Sequence, residues 1–143
     1  MATAIKTDLY AYLTGYAGLS ALVGLKVYPS FVMSSTPVKP FITYFISSNE
    51  NVDYLLDPTD LCNISVQFDI WADTALECEN IGNQLRFALD GYRGTMGTAS
   101  IRRIFLKGVY DGIDGPNDNT EQPEFRKTMD YDIWYFRTTL GYA

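Results

Sequence analysis

The chain has 143 residues, which favours one domain that buries about two-thirds of its unfolded surface without a metal or a disulfide to hold it. Its 17 acidic residues outnumber 11 basic ones, for a formal net charge of −6 with no run of Lys or Arg, and this argues against a nucleic-acid or anionic-membrane binder. There is no histidine, which removes Ser–His and Cys–His nucleophile pairs, the commonest general base, and zinc sites built on imidazole.

The first predicted element is a helix. Thr7 and Asp8 read as its start, and Ile5, Leu9, Leu13 and Tyr16 recur at helical spacing with Tyr12 beside them. Gly15 and Gly18 end it, and a short apolar turn from Leu19 to Val23 closes at Gly24. Lys26 to Pro29 is a brief strand stopped by proline, and residues 30–40 form a loop around Pro37 and Pro40. Phe41 to Ser48 is β-branched and aromatic, hence a strand. Residues 49–60 are a polar connection whose middle, Tyr54-Leu55-Leu56, is apolar and flanked by Asp53 and Asp57. A long connection of this kind is usually functional or disordered, so these three residues either fold back onto the subunit's own core or are candidate subunit contacts, the reading favoured.

The clearest strand follows. Cys62, Ile64, Val66, Phe68 and Ile70 alternate with Asn63, Ser65, Gln67, Asp69 and Trp71, which puts the first set on one face of a sheet. Residues 74–90 are the main helix: Thr74 or Asp73 is the N-cap, with Glu77 three residues after Thr74 as in a capping box, and Ala75, Cys78, Ile81, Leu85, Ala88 and Leu89 form one stripe. Gly91 is the expected residue after its end, and Gly94 and Gly97 lie in a loop. A strand over about 100–110 contains Ile101, Ile104, Leu106 and Val109, and residues 111–123 are an acidic turn-rich loop. The last strand runs from Phe125 to Arg137, with Met129, Tyr131, Ile133 and Tyr135 alternating with Asp130, Asp132, Trp134 and Phe136. Helix, strands, helix, strands implies one α+β domain over 1–143: two helices packed on one face of a mainly antiparallel sheet of four to five strands.

No residue pattern points to chemistry. Cys62 and Cys78 are 16 residues apart on predicted core faces and are read as buried free thiols, as in a reducing cytoplasm. Asp111, Asp114, Asp118, Glu121 and Glu124 do not follow the ligand spacing of an EF-hand loop. The glycines at 91, 94 and 97 fit neither a dinucleotide fingerprint nor a P-loop. Asn63-Ile64-Ser65 matches a glycosylation sequon, but nothing in the N-terminal residues reads as a secretory signal. No catalytic residue, metal or cofactor is expected, and no apolar run reaches the ~20 residues needed to span a membrane. Arg102-Arg103 is read as one half of a salt bridge between subunits. The aromatics, eleven Tyr, eight Phe and two Trp, are many for this length, and Tyr in particular combines apolar area with a polar handle suited to interfaces.

Four stretches carry a resemblance that spans nearly the whole chain: Leu19-Ser-Ala-Leu-Val-Gly-Leu-Lys-Val-Tyr-Pro29 after the first helix; Pro40-Phe-Ile-Thr-Tyr-Phe45; Val66-Gln-Phe-Asp-Ile-Trp-Ala72 leading into a helix that ends Leu85-Arg-Phe-Ala-Leu-Asp-Gly91; and Phe125-Arg-Lys-Thr-Met-Asp-Tyr-Asp-Ile-Trp-Tyr135. In this order and spacing they resemble the tail-completion or tail-terminator (head–tail joining) proteins of long-tailed bacteriophages. The resemblance implies a virion protein, assembled in the host bacterial cytoplasm. Copies of it would form a ring, expected to be a hexamer, on the head-proximal end of the tail tube. Its partners would be the tail tube protein and a head-completion or connector protein, and DNA would pass through the ring without specific binding. The family brings no catalytic residues. The alternative is a protein-binding or small-ligand module in another phage-like particle, such as a gene transfer agent or a contractile tail.

Overall fold

The computed structural model describes residues 2–29, 38–51, 61–97, 99–114 and 124–136. In chain order the elements are α1 (Ala2–Gly15), α2 (Ala17–Val23), β1 (Val27–Pro29), β2 (Phe41–Asn51), β3 (Leu61–Ala72), α3 (Ala75–Leu89), β4 (Gly94–Met96), β5 (Ala99–Asp114) and β6 (Glu124–Phe136). The strands form one sheet in the order β1-β2-β3-β6-β5-β4, in which only the β1–β2 pair is parallel. The fold is α+β as expected, with three helices and six strands among the described residues where two and four to five were expected. Helix α1 packs against β1 and also against β4 and β5, so the sheet curls around it.

Strand β3 sets the register. Its side chains alternate without a break between half-buried and buried, and Ile64, Val66, Phe68 and Ile70 point into a single core with Ile81, Leu85 and Leu89 of α3. Phe68 is wholly buried, stacked on Tyr44 at 5.4 Å and edge-on to Tyr131 at 5.6 Å between ring centroids. Helix α3 begins as its sequence requires: Glu77 N–H donates to Thr74 Oγ1 at 3.1 Å, and Glu77 Oε1 accepts from Asp73 N–H at 3.3 Å. It ends at Gly91, whose φ of 81° suits the left-handed residue after a helix. Ala75, placed by periodicity on the buried stripe, is exposed, because the helix has not yet reached the sheet at its first turn.

Several expected boundaries move. Helix α1 starts at Ala2, so Thr7 and Asp8 lie inside it, and Asp8 is buried. A Cβ at Gly97, where φ is 58°, would collide with Asp8 Oδ1, so this carboxylate packs on the turn between β4 and β5. Gly18 does not end a helix but sits in α2, where it leaves room for Gln84 of α3. Strand β4 lies between the two glycines assigned to a loop, since its only strand partner is β5 and its three residues carry no periodic signal. The polar residues 49–51, 111–114 and 124 belong to strands. Pairing such as Asp114↔Glu124 runs through them, and polarity alone could not reveal this.

Candidate assembly surface

Among the described residues the helices cover one face of the sheet, and none of them covers the other, open face. The open face follows from the same period of two: Phe41, Thr43 and Phe45 of β2 line up across Trp71, Asp69 and Gln67 of β3, which pair in turn with Arg126, Thr128 and Asp130 of β6. Its polar groups are bonded to one another across the strands. Ser65 Oγ donates to Asp132 Oδ1 at 2.9 Å, Thr128 Oγ1 to Asp69 Oδ1 at 2.6 Å, and Lys107 lies 3.5 Å from Asp132. Phe41 stacks on Trp71 with centroids 6.1 Å apart, and Arg126 lies over the Trp71 ring at 5.2 Å. The Nδ2 of Asn63 and the Nε1 of Trp71 are shielded from solvent without a hydrogen-bond partner. Asn63 is thus a mid-strand residue with a shielded amide, not an exposed glycan acceptor.

The arginine pair owes its position to a β-bulge. Strict alternation would send Arg102 and Arg103 to opposite faces. The register between β5 and β6 shifts between Ile101 and Arg103, so Arg102 has no partner of its own. Both guanidinium groups then lie over open-face rings, Arg102 over Phe136 at 5.5 Å and Arg103 over Phe105 at 4.8 Å. Both residues are exposed, and among the described residues neither makes an ion pair. The other candidate contacts, Tyr54, Leu55 and Leu56, lie outside the described residues, as do Asp118 and Glu121.

Sequence reasoning missed the most buried charge. Lys127 is in phase with the core residues of β6, and its ammonium sits 2.7 Å from Asp111 Oδ1 and 3.1 Å from Glu79 Oε2, tying α3, β5 and β6 together. Burial pulls the ammonium pKa down, but the bonds to the two carboxylates outweigh that and hold it above its ordinary value. Gly82 makes room for the lysine stem, since a Cβ there would stand 2.7 Å from Lys127 Cδ. The signal was present: a lysine at an inward position of an alternating strand must meet carboxylates.

Beside it is a cleft of about 150 Å³ lined by Ala75, Cys78, Glu79, Asp111, Gly112, Phe125 and Arg126. The Cys78 thiol donates to the carbonyl of Phe125 at 3.3 Å, and burial pushes its pKa up, so it stays a protonated thiol and not a thiolate nucleophile. Both cysteines are buried and free. Among the described residues no cluster of three acidic or cysteine side chains could hold a metal, and no helix is long and apolar enough to cross a membrane. On the helical side, Leu76 and Phe87 are 70% and 69% exposed and stand three turns apart on one line of α3.

No protein-family model matches the sequence, and no curated protein matches it. Among solved structures, the fold is similar to a chain in the virion of a native gene transfer agent particle. The TM-score is 0.71 at 14% identity, and the match covers 94% of this chain and 96% of that one. The two chains share one fold over nearly their whole lengths.

Proposed function

We propose that this chain is a structural protein of a phage-like virion, with no catalytic role. In this reading copies of it close into a ring at the head-proximal end of a tail tube, stop tube growth and present a surface to the head connector. The observation that carries the reading is the end-to-end fold match to a virion chain of a gene transfer agent particle, with almost nothing left over on either side. The four ordered sequence stretches that resemble tail-completion proteins lie in elements that build the sheet and α3, and so support the same reading.

The arrangement of side chains is consistent with it. Leu76, Phe87, Phe45, Phe105 and Tyr110 are large apolar side chains left in water, more than a lone small domain needs.

Two measurements test the proposal. Sedimentation or native mass analysis of the purified protein should show a closed oligomer, and particles assembled without the chain should show tails of uncontrolled length or heads without tails. Particles of normal length and joining in its absence would overturn it.

A further inference from the structure

Four charges on the open face, those of Arg102, Arg103, Arg126 and Asp130, make no ion pair among the described residues. Arg102 and Arg103 are exposed at the rim of the sheet, where β4 ends and β5 continues. Asp130 is half-buried in the middle of the face, opposite Gly108 on one side and Gln67 on the other, and it makes no hydrogen bond or ion pair among the described residues. Asp69 is held by a hydroxyl donor and Asp132 by a hydroxyl donor and Lys107, so the centre of the face sets three carboxylates against one ammonium. Arg103 stands across from Trp134, four residues along β6 from Asp130, a separation of ~13 Å at the rise of a strand. Arg126 is equally far in the other direction and is spread on Trp71.

We propose that the arginine corner of one copy docks on the acidic centre, at Asp130, of the next copy. This contact rests on the ring reading above and supplies it with a subunit joint. The occupant follows from the signs of charge. A face with a cationic rim and an anionic centre is complementary to a second copy, and a one-sided rim-to-face contact runs head to tail, the kind that closes into rings, whereas a reciprocal one would stop at a two-fold dimer. The bulge at Arg102 is the device that makes it possible, because it brings both guanidinium groups to one face. Their stacking on Phe136 and Phe105 holds them extended over the face. Arg is well suited to such a joint because its planar fork meets a carboxylate with two hydrogen bonds.

The test is a charge swap read by sedimentation equilibrium of the full chain. R102E/R103E and D130K should each weaken self-association at least about tenfold, as loss of an interfacial charge pair does. An equimolar mixture of the two variants should recover mixed oligomers through the restored opposite charges. D130N serves as the milder variant should D130K not fold, with circular dichroism checking the fold of each. Association of the wild-type chain should also weaken at 1 M salt, where screening acts within ~3 Å. Oligomers unaffected by every reversal would overturn this contact and leave the ring standing. A wild-type chain that stays monomeric at every concentration would remove the ring along with it. Salt-sensitive binding of a DNA duplex that R102E/R103E abolishes, with self-association unchanged, would assign the arginines to nucleic acid and overturn the proposal.

Discussion

Residues one step apart on β3 and β6 live under different rules. Phe68, Tyr131 and Ile133 lie in a core with no access to water, whereas Gln67, Asp130 and Trp134, their neighbours in the chain, are half-buried on a face that no helix covers. On the covered face, position is set by volume and side chains interlock with few polar groups among them. On the open face, aromatic rings alternate with charges, and part of the bonding capacity is left over. The contrast separates what holds the subunit together from what it offers to others. Substitutions on the covered face should be read in stability, and substitutions on the open face in association.

The largest expected effect breaks the covered face. Phe68→Ala removes a wholly buried ring that touches both Tyr44 and Tyr131, and should destabilise the chain by ~3–5 kcal/mol in chemical denaturation. A neutral result would mean that β3 is docked in a different register.

Alkali attacks the same face. Burial raises the phenol pKa of Tyr44, Tyr131 and, with help from neighbouring phenols, Tyr12; burial also raises the Cys78 thiol, and the bonds of Lys127 hold its ammonium up. For each tyrosine the folded state binds its proton more tightly than the unfolded state. The resulting stability is complete below about pH 10 and is lost as the pH rises toward the folded values, by up to about 1.4 kcal/mol per pH unit for each phenol. The midpoint in urea should therefore hold steady through neutral pH and fall steeply above pH 10. A midpoint flat to pH 11 would mean that these phenols are accessible to water.

A smaller effect distinguishes two buried tyrosines. Tyr44 donates its phenol proton to the carbonyl of Lys6 at 2.6 Å, so Tyr44→Phe should lose about 1 kcal/mol. The Tyr131 hydroxyl is buried without a partner, so Tyr131→Phe should be neutral or stabilising in the same thermal scan. The smallest effect belongs to the open face: Arg102→Ala and Arg103→Ala should change stability by no more than ~0.5 kcal/mol, since both are exposed and unpaired within the chain. A large loss at either would make the bulge a structural feature of the subunit and not a contact.

Much of this division is legible in the sequence. Cys62 to Ile70 and Met129 to Tyr135 alternate so regularly that the order of residues alone assigns their inner and outer sides. Thr74 with Glu77, and Gly91, mark both ends of α3 because caps are local chemistry between residues three or four apart. What tertiary structure decided is of another kind. Asp8 carries the local signature of a helix start, yet α1 begins earlier and buries it against the turn at Gly97. Strand β4 is invisible to periodicity, because three residues between glycines become a strand only through the edge of β5. Lys127 stays charged inside the molecule because Glu79 and Asp111, 48 and 16 positions away in sequence, converge on its ammonium. The arginine pair lies on one face only because β5 slips by a residue against β6. Alternation and capping are encoded between near neighbours and can be read directly. A bulge, an edge strand and a buried ion cluster depend on which distant segments meet, and that is settled only when the whole sheet closes around α1.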